Sequence, residues 1–437
     1  MDSSLLHTKK VQNSWAMYDW ANSVYSLVIT STIFPVYFNS VTKGLNANDT
    51  VDFFGFEIIN TVLYSYSISF SFLIIALISP ILSGIADASG KKLQFMKFFA
   101  YMGSLSCVAL FFFDRNNLEW GICFSVLASI GYAGSIVFYN AYLPEITTPD
   151  KYDLLSAKGF ALGYIGSVIL LIINLLMIQF PSWFLLSDDG MAARFSFLIT
   201  GFWWAGFSQI PFRNLPQNPF GKDIKKEFLV KGYQEIKKVW NEVKHIKVMS
   251  RFLASFFFYS MGVQTVMYLA ATFGDKELGL PGDQLIITIL IIQIVAIAGS
   301  YLFAYVSKKF GNKRSLVVMV LIWVGICAGA YLVYTVYEFF ALAFVVGLVM
   351  GGIQSLSRST FSKLIPRSTT DHASYFSFYD VTEKLAIVMG TFSYGVIEQL
   401  TGSMRNSALS LGIFFLVGLG FLLLITIPKK GLETKEA

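Results

Sequence analysis

Of the 437 residues, 55% are apolar and only 14% charged, and the mean hydropathy is +0.60. Ordinary soluble domains carry roughly 25% charge, so a soluble globular chain of this length is excluded, and 42 Phe, 22 Tyr and 8 Trp exclude disorder. The apolar residues fall in long runs with short polar breaks, the pattern of a polytopic membrane protein with the lipid bilayer as its solvent.

The N-terminus up to Ser14 is polar, and no small-residue cleavage site follows a short apolar core, so the first helix is expected to stay in the mature protein. Twelve stretches approach the roughly 20 apolar residues a helix needs to cross about 30 Å of hydrocarbon. In chain order they are expected near Trp15 to Phe38, Asn60 to Ile85, Phe95 to Phe113, Glu119 to Tyr142, Gly159 to Phe180 and Arg194 to Phe212. Six more follow near Val248 to Phe273, Gln284 to Val306, Leu316 to Tyr337, Phe339 to Leu356, Tyr375 to Leu400 and Ser407 to Ile427. These runs are about twice as long as a membrane strand, which disfavours a closed barrel and predicts an all-α integral membrane fold. Cys107, Cys123 and Cys327 each fall in a different run, so neither a disulfide framework nor a metal site is expected.

Charge sets the orientation. The termini and even-numbered connections carry nearly all of the 33 Lys and Arg, while the odd-numbered connections hold only Lys43, Arg115, Arg194, Lys276 and Arg405. By the positive-inside bias both termini are expected in the cytoplasm. The widest break divides the chain into an N-terminal six-helix bundle (1–212), a linker (213–247) and a C-terminal six-helix bundle (248–437). Within the linker Leu229, Tyr233, Ile236, Trp240 and Val243 recur at helical spacing among lysines that include Lys225, Lys226, Lys237, Lys238 and Lys244. This predicts an amphipathic helix on the cytoplasmic leaflet, acting as a tether or as a docking surface for a partner. The halves also echo each other: aligning Gly90 of SGIADASGKK with Gly311 of AYVSKKFGNKR puts basic residues beside both. Such duplication suits rocking of one bundle against the other.

The stretch Ser83 to Lys92 resembles the loop motif of the major facilitator superfamily, with Asp87, Gly90, Lys91 and Lys92 matching. Ser83 stands where the first glycine is expected, and Ala88 replaces a frequent arginine. Three further blocks, WAMYDWANSVYSLVI from Trp15, FYNAYLPEI from Phe138 and GGIQSLSRSTFSKLIP from Gly351, resemble the vacuole effluxer, or autophagy-related amino-acid effluxer, branch. The resemblance spans nearly the whole chain. It implies twelve transmembrane helices in two pseudo-symmetric six-helix bundles, a central cavity lined by helices one, four, seven and ten, and export of amino acids from a vacuole in fungal relatives. It also implies a gate at Asp87, Gly90, Lys91 and Lys92, with the carboxylate holding the second and third helices against the neighbouring bundle.

An ionisable group at the centre of a span costs roughly 2.5–3.5 kcal/mol on insertion scales, so each asks for a partner or a wet cavity. Asp19 begins a stripe with Asn22, Ser23, Ser26 and Thr30 on one helical face. Two readings stay open: the stripe faces a cavity, or Asp19 caps or pairs near the interface, roughly 7 Å in. On the eleventh span Asp380 and Lys384 sit in the favourable i,i+4 order, leaving Glu383 without an assigned partner. Asp19, Asp380, Glu383 and Lys384 are therefore candidates for proton coupling, against a static cytoplasmic gate network. Asp19, Asn22, Ser26, Tyr139, Asn140, Gln264, Tyr268, Gln354 and Arg358 are candidate substrate-binding residues; the alternative for each is an interhelical hydrogen bond. Asp19 and Arg358 suit the ammonium and carboxylate of a zwitterion. Gly159 with Gly163, and Gly347 with Gly351, are small-residue pairs suited to close helix packing.

The segment from Gly84 to Lys92 has neither the glycine spacing nor the Ser or Thr of a phosphate-binding loop. His7, His245 and His372 lie outside the spans and apart from one another, so no catalytic or metal cluster, cofactor or enzyme activity is expected, and no nucleic-acid partner. The reading favoured is a secondary active transporter of a small polar solute, an amino acid by the family resemblance, working by alternating access with proton coupling, as a monomer in a bacterial inner (plasma) membrane. The alternatives are a lipid or hydrophobic-drug translocator of the same fold, or a transporter-like sensor.

Overall fold

A computed structural model describes residues 7–43, 50–217 and 228–427. The first part of the linker with Lys225 and Lys226, and the C-terminal Lys429, Lys430 and Lys435, lie outside the described residues, as do the side chains of Leu229 and Lys231. Twelve long helices follow the expected order: α1 (Lys9–Thr42), α2 (Asn60–Ser89), α3 (Lys92–Ala109), α4 (Leu118–Ala141), α5 (Tyr152–Gln179) and α6 (Asp189–Asn214), then α7 (Lys247–Leu278), α8 (Gly282–Phe310), α9 (Asn312–Leu332), α10 (Val336–Leu364), α11 (His372–Thr401) and α12 (Met404–Leu423). Among the described residues ten of them are long and apolar enough to cross a bilayer. The other two, α6 and α11, run 26 and 30 residues but are more polar. Most helices exceed the apolar runs because their polar ends continue the backbone ladder past the hydrocarbon.

Two elements differ from the expectation. The connection after α1 holds a hairpin, β1 (Thr50–Phe53) paired antiparallel with β2 (Phe56–Ile59) in the register Phe53↔Phe56. Its loop residues Phe54 and Gly55 both have positive φ, the geometry that matches strand twist. Within α1, Tyr25–Ile33 winds as a π-helix. Side chains support the wider turn: the Ser31 and Thr32 hydroxyls donate to the carbonyls of Ser26 and Leu27, five residues back. Pro35 lacks the N–H that would reach Thr30 in that register, and the Tyr64 hydroxyl donates to the Thr30 carbonyl at 2.9 Å instead.

The two bundles meet where α2 packs on α11, α5 on α8 and α10, and α4 on α11. Small residues set the closest crossings within the second bundle: a Cβ on Gly351 of α10 would stand 2.1 Å from the Ala296 carbonyl oxygen of α8. The linker helix (Phe228–His245) is helical as expected, and its apolar side is only partly covered by protein, with Tyr233 and Trp240 left exposed. Val239 and Val243 are buried, and the helix packs along α2 and against α7 and α11, with Trp240 over Phe378.

Candidate transport site

A cavity of about 220 Å³ lies between the bundles, lined from α1, α2, α4, α5, α7, α8, α10 and α11. Among the expected substrate residues, Asp19, Ser26, Asn140, Gln264, Tyr268, Gln354 and Arg358 line it, together with Glu383 and Lys384. Asn22 and Tyr139 do not, and Asp380 lies behind the wall. The physical reason for Asn22 is angular: Asp19, Ser23 and Ser26 share a face at 3.6 residues per turn, and Asn22 falls to its flank, buried against its own bundle. Farther along, the π-turn shifts the register by one residue, so Ser31 lines the cavity in place of Thr30. Tyr139 is fully buried one layer back, where its hydroxyl donates to Asp19 Oδ2 at 2.7 Å.

Two charged groups face each other across the cavity. On α11, Lys384 Nζ is 3.1 Å from Asp380 Oδ1, an ion pair without hydrogen-bond alignment. Glu383, expected to lack a partner, accepts from Gln264 Nε2 at 2.9 Å and sits 3.5 Å from Lys384 Nζ. Two carboxylates therefore share one ammonium. Opposite them, Asp19 Oδ2 accepts from Nη1 and Nη2 of Arg358, each at 3.2 Å. Arg358 also donates to the Ser156 hydroxyl and carbonyl and to Asn140 Oδ1. Asp19 and Arg358 thus satisfy one another instead of standing open for a zwitterion. Tyr164 and Gln354 join α5 to α10 at 2.5 Å.

Below this floor, toward the end carrying the N-terminus, further contacts join the bundles. Asp153 of α5 accepts from Lys363 Nζ at 2.7 Å, Ser307 Oγ at 2.9 Å and Asn312 Nδ2 at 2.9 Å, and Asn312 itself accepts from Lys363. All four are buried. Asp87 accepts from the backbone N–H groups of Ala373 (3.3 Å) and Ser374 (2.7 Å) at the start of α11, where the helix dipole favours an anion. Gly90 ends α2 in the left-handed conformation, and Lys91 follows as the cap of α3, its carbonyl accepting from Gln94 N. Lys92 is buried against Glu145 of its own bundle, and Glu145 lies 2.9 Å from His372 Nδ1 of the other. On the outer rim Lys238 bridges Glu235 and Asp371 at 2.7 and 2.8 Å. Burial and the neighbouring Asp371 carboxylate push the Glu235 carboxyl up to about 7, while against burial the two carboxylates raise the Lys238 ammonium.

The Asp153, Lys363, Asn312 and Ser307 network and the Glu145 to His372 contact were not anticipated. These charges sit at helix ends, where they read in the sequence as inside-loop charge. The one available signal was the repeat: the register that superposes Gly90 on Gly311 places Asp87 beside Ser307 and carries Asp153 onto Ser374.

Residues 7–435 match the family described as "Vacuole effluxer Atg22 like". The chain is 34% identical over 416 residues to the MFS-type transporter YxiO of Bacillus subtilis (strain 168), covering 94% of this chain and 93% of that one. It is 23% identical over 482 residues to Autophagy-related protein 22-1 of Penicillium rubens, covering 90% and 80%. Among solved structures, the MFS proton:xylose symporter XylE bound to 6-bromo-6-deoxy-D-glucose superposes with a TM-score of 0.72 at 14% identity, covering 100% of this chain and 99% of that one. These relatives are transporters rather than enzymes. The chain belongs to the Atg22-like vacuole effluxer family and is a multi-pass membrane transporter of the major facilitator fold.

Proposed function

We propose that this transporter moves a small polar solute, an amino acid, across a bacterial plasma membrane by proton-coupled alternating access, as a monomer. The units that rock are 1–212 and 248–437, tethered by 213–247. Both termini face the cytoplasm in this reading, and the contacts below Asp19 and Arg358 are the cytoplasmic gate in its closed state.

The observation that carries the proposal is the charge balance on the second bundle's cavity wall, where Asp380 and Glu383 share the single ammonium of Lys384. One proton, or the cationic group of a solute, neutralises the remaining negative charge, and that exchange is what couples proton and solute movement. Gln264, Tyr268 and Gln354 supply amide and phenol groups for the polar head of the solute. An adjoining apolar pocket of about 60 Å³, with Leu269, Phe273 and Ile326 in its wall, suits an apolar side chain. Asp87, Gly90, Lys91 and Lys92 shape the gate.

The test is uptake of labelled amino acids into proteoliposomes with and without a pH gradient. Gradient-driven uptake competed by unlabelled amino acids is expected, with Glu383→Gln losing gradient dependence while retaining exchange. Unchanged gradient dependence in that variant removes Glu383 from coupling, and absence of competition by any amino acid removes the substrate class.

A further inference from the structure

The surroundings of Arg358 hold more than a gate requires. Its guanidinium carbon lies 4.2 Å from the ring centre of Phe160, 4.9 Å from Trp15 and 5.4 Å from Tyr139. Around its edge, Asp19 Oδ2 accepts two N–H groups, and the Ser156 hydroxyl and carbonyl and Asn140 Oδ1 accept the others. Gly159 leaves the space: a Cβ there would stand 2.4 Å from Asp19 Oδ2 and 2.9 Å from Arg358 Nη2. Every one of these groups except the arginine itself belongs to the first bundle, on α1, α4 and α5. Besides the plug, the second bundle supplies the Ser355 carbonyl that accepts from the Ser156 hydroxyl at 2.8 Å.

We infer that the first bundle carries a binding box for a planar organic cation of the guanidinium class, and that Arg358 occupies it as a tethered stand-in while the gate is closed. Aromatic faces around a desolvated cation and a carboxylate at its edge are the chemistry of guanidinium recognition. When the bundles part at this end, α10 withdraws the plug and the box faces the opening with the Asp19 carboxylate no longer paired to a cation. A solute bearing a guanidinium group, such as a basic amino acid, fills it from that side and holds the gate open. The inference rests on the alternating-access reading above. It reassigns Arg358 from a ligand of the solute's carboxylate to a competitor for its cation.

The experiment uses the full chain in lipid nanodiscs and vacates the box with Arg358→Ala. Methylguanidinium is the probe, methylurea its neutral counterpart, and the readouts are the thermal midpoint and tryptophan fluorescence, since Trp15 lies in the wall. Arg358→Ala is expected to bind methylguanidinium saturably and gain thermal stability, while methylurea does nothing. Wild type responds about tenfold more weakly or less, because its own tethered guanidinium is present at high effective concentration. Adding Asp19→Asn to Arg358→Ala abolishes the response. If Arg358→Ala does not yield monodisperse protein, Arg358→Gln, which also leaves the cation site empty, takes the same titration. A well-folded vacated variant with no saturable response, or an equal response to methylurea, overturns the inference. Wild-type amino-acid uptake is measured alongside: its failure with the box intact strikes the proposed function alone, and its presence without methylguanidinium binding strikes the box alone.

Discussion

Replacing Lys363 by Met removes one charge from the buried network beneath the cavity floor. Asp153 then keeps two neutral donors, Ser307 and Asn312, but no cation. Removing one partner of a buried pair costs roughly 3–5 kcal/mol, and the two surviving donors put this case at the lower end. The cost falls on the closed state alone, because parted bundles leave Asp153 in water. A loss of about 3 kcal/mol shifts the closed-to-open ratio by roughly 150-fold. Substituting Asn for Asp153 as well keeps an acceptor for Ser307 and Asn312 and removes the stranded charge. The double variant is therefore expected to recover most of the shift, and the cycle of single and double variants isolates the coupling. The assay is a distance distribution between spin labels on cysteines placed at Lys151 and Lys309, both exposed and on opposite bundles. Cys123, which is exposed, is replaced first, while Cys107 and Cys327 are buried. A Lys363→Met distribution that matches wild type, or a double variant as open as the single one, refutes the assignment of this network as a seal.

Other outcomes follow from the same geometry. Asp87→Ala removes the acceptor for the first N–H groups of α11 and should open the same labelled pair by an equivalent of about 1 kcal/mol, with Asp87→Asn intermediate. Gly351→Val forces α8 and α10 apart against backbone and should destabilise by roughly 1–3 kcal/mol, read as a lowered thermal midpoint. Gly325→Ala on α9, with nothing within 4 Å of its Cβ, should leave that midpoint unchanged or slightly raised. For the linker helix the sign runs with Glu235. Its raised carboxyl, up to about 7, keeps a proton in the docked state that the free chain has lost, so docking weakens as pH rises from the usual carboxylate range to about 7. Amide exchange over residues 233–245, corrected for intrinsic rates, should be faster at high pH, and Glu235→Gln should remove the difference.

Hydropathy made the twelve long helices legible, because length and lack of charge are local properties. It understated their ends, where Lys9, Lys92 and Lys247 continue a helix past the oil. It was silent on how the helices rotate. The stripe from Asp19 assumes a uniform 3.6 period, and the π-turn breaks that period within a few residues. Partners far apart in sequence were legible only where a scarce charge demanded one. Asp19 and Arg358 could be paired by that demand, although the direct pairing removes the open zwitterion site it first suggested. Asp153 and Lys363 raised no such demand, because a charge beside a loop is ordinarily hydrated. Only packing of α5 against α8 and α10 makes them buried.

Four charged contacts that join the bundles share a polarity. Asp19, Asp87, Glu145 and Asp153 all belong to the first bundle. Their partners across the seam, Arg358, the α11 N-terminus, His372 and the Lys363 network, all belong to the second. The repeat carries Asp153 onto Ser374, so the two halves use the same two places with donor and acceptor exchanged: Asp87 near the end of α2 accepts from the Ser374 backbone N–H, and Asp153 accepts from Ser307 near the end of α8 and Asn312 at the start of α9. The parted seam then presents an acidic wall on the first bundle opposite a basic one on the second, a field that draws a cation toward Asp19 and an anion toward Arg358.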